Sequence, residues 1–281
     1  MTLVPVAVPA AIVRADVARA LEEDLGAIDL TAQLLPAWRD GQARIVTRED
    51  AVLCGRDWAD AAFRALDPES TIDWHAADGD AVHAGQTLCQ ISAKVRAIVS
   101  AERTALNFLQ TLSGTATVAR RYADAVKGTR TRILDTRKTL PGLRVAQKYA
   151  VRCGGATNHR AGLFDAVLIK ENHIRAAGSI AAAIAAAREI AGGRMVEIEV
   201  ESLVEFKLAL AAQPDRIMLD ELNVDDMRTA VALNAGRVEL EISGGVAFER
   251  LSALAAIGVD YISVGALTKH VRAIDLSLRM L

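Results

Sequence analysis

The chain has 281 residues, 52% of them hydrophobic and 24% charged, with a formal net charge of -2. This much apolar material excludes a disordered chain and suffices for one large domain or two smaller ones. The near-neutral balance excludes a generic nucleic-acid binder, and three cysteines with no Cys-x-x-Cys pair (Cys54, Cys89, Cys153) predict reduced thiols in a cytoplasmic protein.

Thr2 to Val13 is apolar but carries Pro5 and Pro9 and no basic start, so it predicts neither a signal peptide nor a membrane span. Arg14 to Leu25 predicts an amphipathic helix, with Val17, Leu21 and Leu25 at helical spacing and Gly26 as its stop. Short strand-like runs follow: "ARIVTR", "AVLCG", "STIDWH" and "DGDAVHAGQTLCQISA", the last with Gly79 and Gly85 at turn positions. The last run resembles the lysine-bearing hairpin of biotinyl and lipoyl domains. Lys94 lacks the tight turn of such a lysine, so plain β structure is expected. Ala101 to Ala125 predicts a long helix or two.

From Thr131 the pattern changes. Six strand-length apolar runs, "RILDT", "AVLIK", "MVEIEV", "DRIMLD", "VELEIS" and "DYISVG", alternate with helical stretches near 142–153, 178–190, 202–212, 224–234 and 247–257. Such alternation predicts βαβ units and a parallel sheet. In "MVEIEVE", Val196, Ile198 and Val200 share one face and Glu197, Glu199 and Glu201 the other; "VELEIS" splits in the same way. Helices cover the outside of such a sheet, so the apolar face must be outward and the carboxylates inward. Buried carboxylates need cations, which favours a barrel whose interior holds charge pairs, a metal ion, or both.

Charge is segregated accordingly. Residues 130–160 contain Arg130, Arg132, Arg137, Lys138, Arg144, Lys148, Arg152 and Arg160 against one acid, Asp135, whereas acids dominate residues 197–226. Composition alone favours solvated helix faces. The strand ends discriminate, because parallel α/β folds place their sites there. Those ends carry Asp135, Thr136, Arg137 and Lys138; Lys170, Glu171, Asn172 and His173; Glu199 to Glu201; Asp220 and Glu221; Ser243, Gly244 and Gly245; and Val264, Gly265 and Ala266. Asn158, His159 and Arg160 precede the second strand. Glycine turns after the last two strands suit a phosphate, an arginine fork suits a carboxylate, and paired acids suit a divalent metal or sugar hydroxyls.

The series "DTRKTLPGLR", "KYAVRCGGATNHRAGLFDAVLIKENHI", "EIEVES", "MLDE", "EISGG" and "SVGALTKH", preceded by "LEEDLGAIDLT" and "AERTALNFLQTLSGTAT", resembles the quinolinate phosphoribosyltransferase family nearly end to end. The resemblance implies an α/β fold with an N-terminal α/β sandwich domain (residues 1–112) followed by an incomplete six-stranded parallel α/β barrel (residues 113–281). It implies a pentosyltransferase of NAD biosynthesis that acts on quinolinate and phosphoribosyl pyrophosphate with Mg²⁺, releasing nicotinate mononucleotide, pyrophosphate and carbon dioxide. Carried over by position, Arg137, His159, Arg160 and Lys170 bind the quinolinate carboxylates. Arg103 enters from a neighbouring subunit of a homodimer or larger assembly. Thr136 and Lys138 meet substrate, Lys138 the phosphoribosyl pyrophosphate. Glu199 and Asp220 hold the ribose hydroxyls and the metal, and Ser243, Gly244, Gly245, Val264, Gly265 and Ala266 cradle the 5-phosphate. Lys138, Glu199 and Asp220 are the catalytic candidates. No nucleic acid or membrane is implied. Where many members read "GALTHS" this chain reads "GALTKH", so no role passes to Lys269 or His270.

Three other readings share part of this pattern. Lys170 at a strand end suits a Schiff-base aldolase but leaves Arg137, Arg160 and the inward acids unexplained. A non-catalytic anion binder would use the ion pairs as barrel filling. A relative acting on another aromatic acid would not need so many cations.

Overall fold

The computed structural model describes residues 7–281, so the first part of the Thr2–Val13 stretch lies outside the described residues. α1 (Ala10–Leu25) begins one turn earlier than its periodicity predicts; Val13, Val17 and Leu21, four apart, form its buried side. Asp16 is buried beside them and satisfied, because Trp58 Nε1 donates to it at 3.1 Å and Arg19 at 2.5 Å. Then come β1 (Asp40–Thr47), β2 (Ala51–Val52), α2 (Arg56–Leu66), β3 (Thr71–Trp74), β4 (Ala81–Val82), β5 (Thr87–Lys94) and α3 (Val95–Ala125). The rest of the chain comprises β6 (Arg132–Leu134), α4 (Arg144–Cys153), β7 (Val167–Ile169), α5 (Glu171–Ala177), α6 (Ile180–Ala191), β8 (Val196–Val200), α7 (Leu203–Ala212), β9 (Arg216–Asp220), α8 (Val224–Asn234), β10 (Glu239–Ser243), α9 (Leu251–Ala255), β11 (Tyr261–Ser263), α10 (Ala266–Lys269) and β12 (Leu276–Met280). No described helix is long and apolar enough to cross a membrane.

The described residues pack as two compact units. One holds the chain up to Arg121 with Thr139–Gly155 and Ala266–Leu281; the other holds Tyr122–Lys138 and Ala156–Gly265. The boundary expected at residues 112/113 falls within α3.

In the first unit an antiparallel sheet runs β12–β1–β5–β3. Alternation along β1 and β5 sends Ala43, Ile45 and Thr47, and Cys89, Ile91 and Ala93, into the core against α1, α2 and α3. All three cysteines are unbonded and buried. Two glycines permit close approaches. A Cβ on Gly154 would meet the Ala116 carbonyl at 2.4 Å, so α4 ends against α3; a Cβ on Gly114 would meet the Arg272 carbonyl at 2.1 Å, where the C-terminal tail crosses α3. The tail is fastened by Arg272 donating to both oxygens of Glu49, at 2.7 and 3.2 Å, and by β12 pairing with β1.

In the second unit six parallel strands run β6–β11–β10–β9–β8–β7. β6 and β7, neighbours in sequence, are the two edges, so the sheet is not closed. Thr157 forms a parallel bridge with Leu134 on the free side of β6. The six strands are those the sequence predicts. Val196, Ile198, Val200, Ile217, Leu219, Leu240 and Ile242 are fully buried under the helices, each stabilising the unit by about 1.5–3 kcal/mol. The opposite face carries Glu197, Arg216 and Glu241, all buried, and opens at its carboxyl end on Glu199 and Asp220. α2, α5, α10 and β12 are elements the sequence reading did not anticipate.

Candidate active site

The carboxyl ends of the second unit's strands form one charged rim. After β6 the chain turns about Asp135, which is fully buried and accepts hydrogen bonds from Asn158 Nδ2 (2.6 Å) and the His159 amide (2.8 Å). This carboxylate ties the Thr136–Lys138 turn to the loop bearing His159 and Arg160. Thr136 Oγ1 accepts from the Lys138 amide at 3.1 Å, which keeps the turn tight. Arg137 is half-buried and Lys138 exposed. The Lys138 side chain lies over Gly265 at the end of β11, its Cδ 3.0 Å and its Nζ 3.8 Å from where a Cβ would stand.

Arg160 is half-buried, and its Nη1 donates to the Ala166 carbonyl at 3.4 Å. Burial, and after it the positive charge of Arg137, holds the Arg160 guanidinium below its usual value. A guanidinium whose charge is disfavoured by burial and by a neighbouring cation favours an anion beside it. Lys170 caps α5 from the end of β7 and forms an ion pair with Glu199 at the end of β8.

The acids cluster beside it. Glu199, Glu201 and Asp220 bring carboxylate oxygens within 4.8 Å of one another. The Glu201 carboxyl is raised above its ordinary value by loss of water and then by the charges of Glu205, Glu171, Asp220 and Glu199. An all-oxygen set of this spacing fits a hard divalent cation. Glu201 was not among the expected ligands. The strand pattern places it on the acid face, but only the turn after β8 brings it back beside Asp220.

The glycine turn after β10 packs on the same acids. Gly244 has a φ of +88°, and a Cβ there would lie 2.8 Å from the Glu221 amide and 3.2 Å from Asp220 Oδ1. Glu221 itself sits at a φ of +54°, a left-handed conformation unusual for a side chain of this size. β10 and β11 are adjacent strands, so the turns at Gly244 and Gly265 lie side by side, with Lys138 at the second. Glycine turns with an ammonium group beside them have the chemistry that a phosphate requires.

His159 stands apart from the rim. It is buried, its Nδ1 accepts the Arg160 amide proton at 2.8 Å, and its Nε2 lies 2.8 Å from Glu197. Arg103 is exposed on α3 and Ala266 begins α10, both in the first unit; the remaining expected residues are in the second.

The chain matches the N-terminal domain of quinolinate phosphoribosyl transferase over residues 29–113 and its C-terminal domain over residues 115–279. It is 43% identical over 275 residues to the nicotinate-nucleotide pyrophosphorylase (carboxylating) of Mycobacterium leprae, covering 94% of this chain and 96% of that protein. It is 39% identical over 257 residues to the probable enzyme of the same name from Bacillus subtilis, covering 91% and 89%. The solved nicotinate-nucleotide pyrophosphorylase from Francisella tularensis superposes with a TM-score of 0.95 at 48% identity over 98% of both chains. Two domain matches spanning most of the sequence, and relatives aligned nearly end to end, place the chain in the quinolinate phosphoribosyltransferase family.

Proposed function

We infer that the protein transfers the phosphoribosyl group of phosphoribosyl pyrophosphate to quinolinate with loss of carbon dioxide, giving nicotinate mononucleotide and pyrophosphate for de novo NAD synthesis. The relatives' names carry the reaction, and one observation supports the substrate: the like charge of Arg137 acts on Arg160 near the end of β6, while Lys170 stands at the end of β7 in the same parallel sheet. A pyridine with two adjacent carboxylates supplies the charges such a rim lacks.

In this reading Arg137, His159, Arg160 and Lys170 hold the two carboxylates, joined by Arg103 from a neighbouring subunit of a homodimer. Thr136 shapes the turn that presents Lys138 to the phosphoribosyl pyrophosphate, and Ser243, Gly244, Gly245, Val264, Gly265 and Ala266 receive the 5-phosphate. Glu199 and Asp220, with Glu201, are the residues that would hold Mg²⁺; bound there, it would neutralise charge on the departing pyrophosphate.

The residues' contribution is positional. Cations fix the pyridine plane so that its nitrogen lines up with the ribose carbon losing pyrophosphate, and Glu199 and Asp220 sit where positive character on the sugar is stabilised. Once the ring nitrogen is quaternary it can accept the electron pair left when the adjacent carboxylate departs as carbon dioxide. In this reading Lys138 returns a proton to that carbon. The cations must therefore orient this carboxylate without gripping it more tightly than the transition state. The soluble pathway and the buried thiols suit a cytoplasmic setting.

The test is pyrophosphate release with quinolinate against nicotinate as acceptor. Release with quinolinate alone is expected; equal release with both, or none with quinolinate, overturns the assignment.

A further inference from the structure

Gln147 lies on the buried side of α4 and is 0% exposed, among Ala146, Tyr149, Ala150 and Val151. A leucine would serve packing alone. A fully buried carboxamide costs stability unless its donor and its acceptor are both used. Both are used. The Leu140 amide donates to Gln147 Oε1 at 2.8 Å, and Gln147 Nε2 donates to the Thr268 carbonyl at 2.9 Å.

Both partners come from places where regular structure leaves backbone groups open. Leu140 belongs to the irregular stretch between β6 and α4, and Pro141 after it disfavours a helical backbone there. Thr268 lies in α10, a helix of four residues, too short to give its last carbonyls an intrahelical donor. One buried side chain therefore joins two segments that are far apart in sequence.

Those segments continue the two stretches that form the phosphate end of the site. The chain passes from the second unit into the first after Lys138 and again after Gly265. Within the second unit the two stretches are neighbours. β6 pairs with β11, the Val264 amide donates to the Leu134 carbonyl at 2.9 Å, and the Lys138 side chain lies over Gly265. Within the first unit Gln147 holds their continuations, and Arg144 Nε adds a bond to Thr139 Oγ1 at 3.1 Å.

We propose that Gln147 is a positioning residue for the phosphoribosyl pyrophosphate subsite: by clamping Leu140 to Thr268 it fixes Lys138 against the turn at Gly265. Being buried, it acts through the backbone. The role rests on the reading of Lys138 and that turn as the phosphate-binding end. Arg137 lies nearer a different tether, the Asp135 carboxylate that holds Asn158 and the His159 amide, so the quinolinate end is spared.

A variant and an exchange measurement test it. Gln147→Met keeps the unbranched shape and removes both the amide donor and the carbonyl acceptor. It is expected to raise KM for phosphoribosyl pyrophosphate by roughly tenfold, with KM for quinolinate within about twofold of the parent's. A merely structural glutamine would lower the melting temperature and leave the ratio of the two KM values unchanged; that result, or equal rises for both substrates, overturns the proposal. Hydrogen exchange of the parent decides it even if the variant fails to fold. A ligand at Lys138 and a clamp at Leu140 stabilise the same arrangement, and such coupling is reciprocal, so saturating phosphoribosyl pyrophosphate should slow amide exchange in residues 139–143 by about threefold or more and leave β5 unchanged. Exchange in residues 139–143 that does not respond overturns the role. If the parent releases no pyrophosphate with quinolinate, the functional reading fails by itself, and exchange with phosphoribosyl pyrophosphate still decides whether the clamped segment is coupled to that ligand.

Discussion

Lys170 at the end of β7 and Glu199 at the end of β8 form an ion pair across adjacent strands, the lysine side chain 48% exposed and the carboxylate 13%. Each is assigned to a different substrate in the proposed reaction, so without ligand the two subsites neutralise each other. Binding must separate them: the lysine turns to a quinolinate carboxylate and Glu199 to the sugar side. A half-exposed pair is worth only about 1 kcal/mol, so the exchange is inexpensive. Glu199→Gln should release Lys170 and leave quinolinate Kd unchanged or tighter by up to roughly fivefold, while turnover falls about a hundredfold. Calorimetry with quinolinate and a pyrophosphate-release assay check both arms. Weaker quinolinate binding in this variant would contradict the exchange.

In the proposed reaction Arg137 and Arg160 hold the same anion, Arg160 from a backbone bound to His159 and a side chain bound to the Ala166 carbonyl. Arg137→Ala removes charged hydrogen bonds of about 1.5–3 kcal/mol each. Quinolinate affinity should drop roughly ten- to a hundredfold, with phosphoribosyl pyrophosphate affinity nearly unchanged. Equal losses for the two ligands, measured by calorimetry, would remove Arg137 from its assigned role.

The two glycines after β10 are not equivalent. Gly244 needs its φ of +88° and has Glu221 Cγ 2.6 Å from where a Cβ would stand, whereas Gly245, at φ +54°, faces open space. Gly244→Ala should push Glu221 and Asp220 out of register and raise KM for phosphoribosyl pyrophosphate by an order of magnitude or more. Gly245→Ala should cost only the left-handed conformation, about 1–2 kcal/mol of stability, with KM near the parent's. Steady-state kinetics with a thermal melt for each variant separates a steric effect on the turn from a general loss of fold.

Arg103 is exposed on α3 in the first unit, while Arg137, Arg160 and Lys170 belong to the second. If it completes the site of a neighbouring subunit, inactive Arg103→Ala and inactive Lys170→Ala proteins should regain activity when mixed, because one site in the hybrid has neither substitution. In a dimer with random exchange about a quarter of the parent activity is the ceiling. Verified subunit exchange with no recovery would argue that each chain's site is complete by itself.

Much of this was legible because the period-two pattern of "MVEIEV" and "VELEIS" sits on a sheet buried on both faces. Apolar and acidic residues had to take opposite sides, and Glu197, Glu199 and Glu241 lie where that alternation puts them. The strand ends likewise lined up Arg137, Lys170, Asp220 and Gly244. α5 was not legible, because none of its residues is buried and it has no apolar stripe to read. β12 was not, because it gains its partner from β1, with Ala43 opposite Met280, far from its own sequence neighbours. The burial of His159 was not, because a sequence gives the imidazole but not the backbone amide that meets its Nδ1 or the acid that lies near its Nε2.

The acid pair inside the barrel makes stability depend on pH in a definite direction. Glu241 is pushed from an ordinary value of 4.5 to about 8, chiefly by burial, and Glu197 is raised as well. A carboxyl whose folded value exceeds its unfolded one binds its proton more tightly in the native state. Its contribution is therefore complete below about pH 4.5 and is lost as pH rises toward 8, by at most about 1.4 kcal/mol per pH unit for one proton. Paired surface acids such as Glu49, lowered by Arg272, act in the opposite sense only at acid pH. Between pH 5 and 8 the parent should lose stability in urea unfolding and level off above that, whereas Glu241→Gln, which carries no proton to lose there, should give a flatter profile. Parallel profiles for the two proteins would mean that Glu241 titrates no differently folded than unfolded, and that the interior proton lies elsewhere.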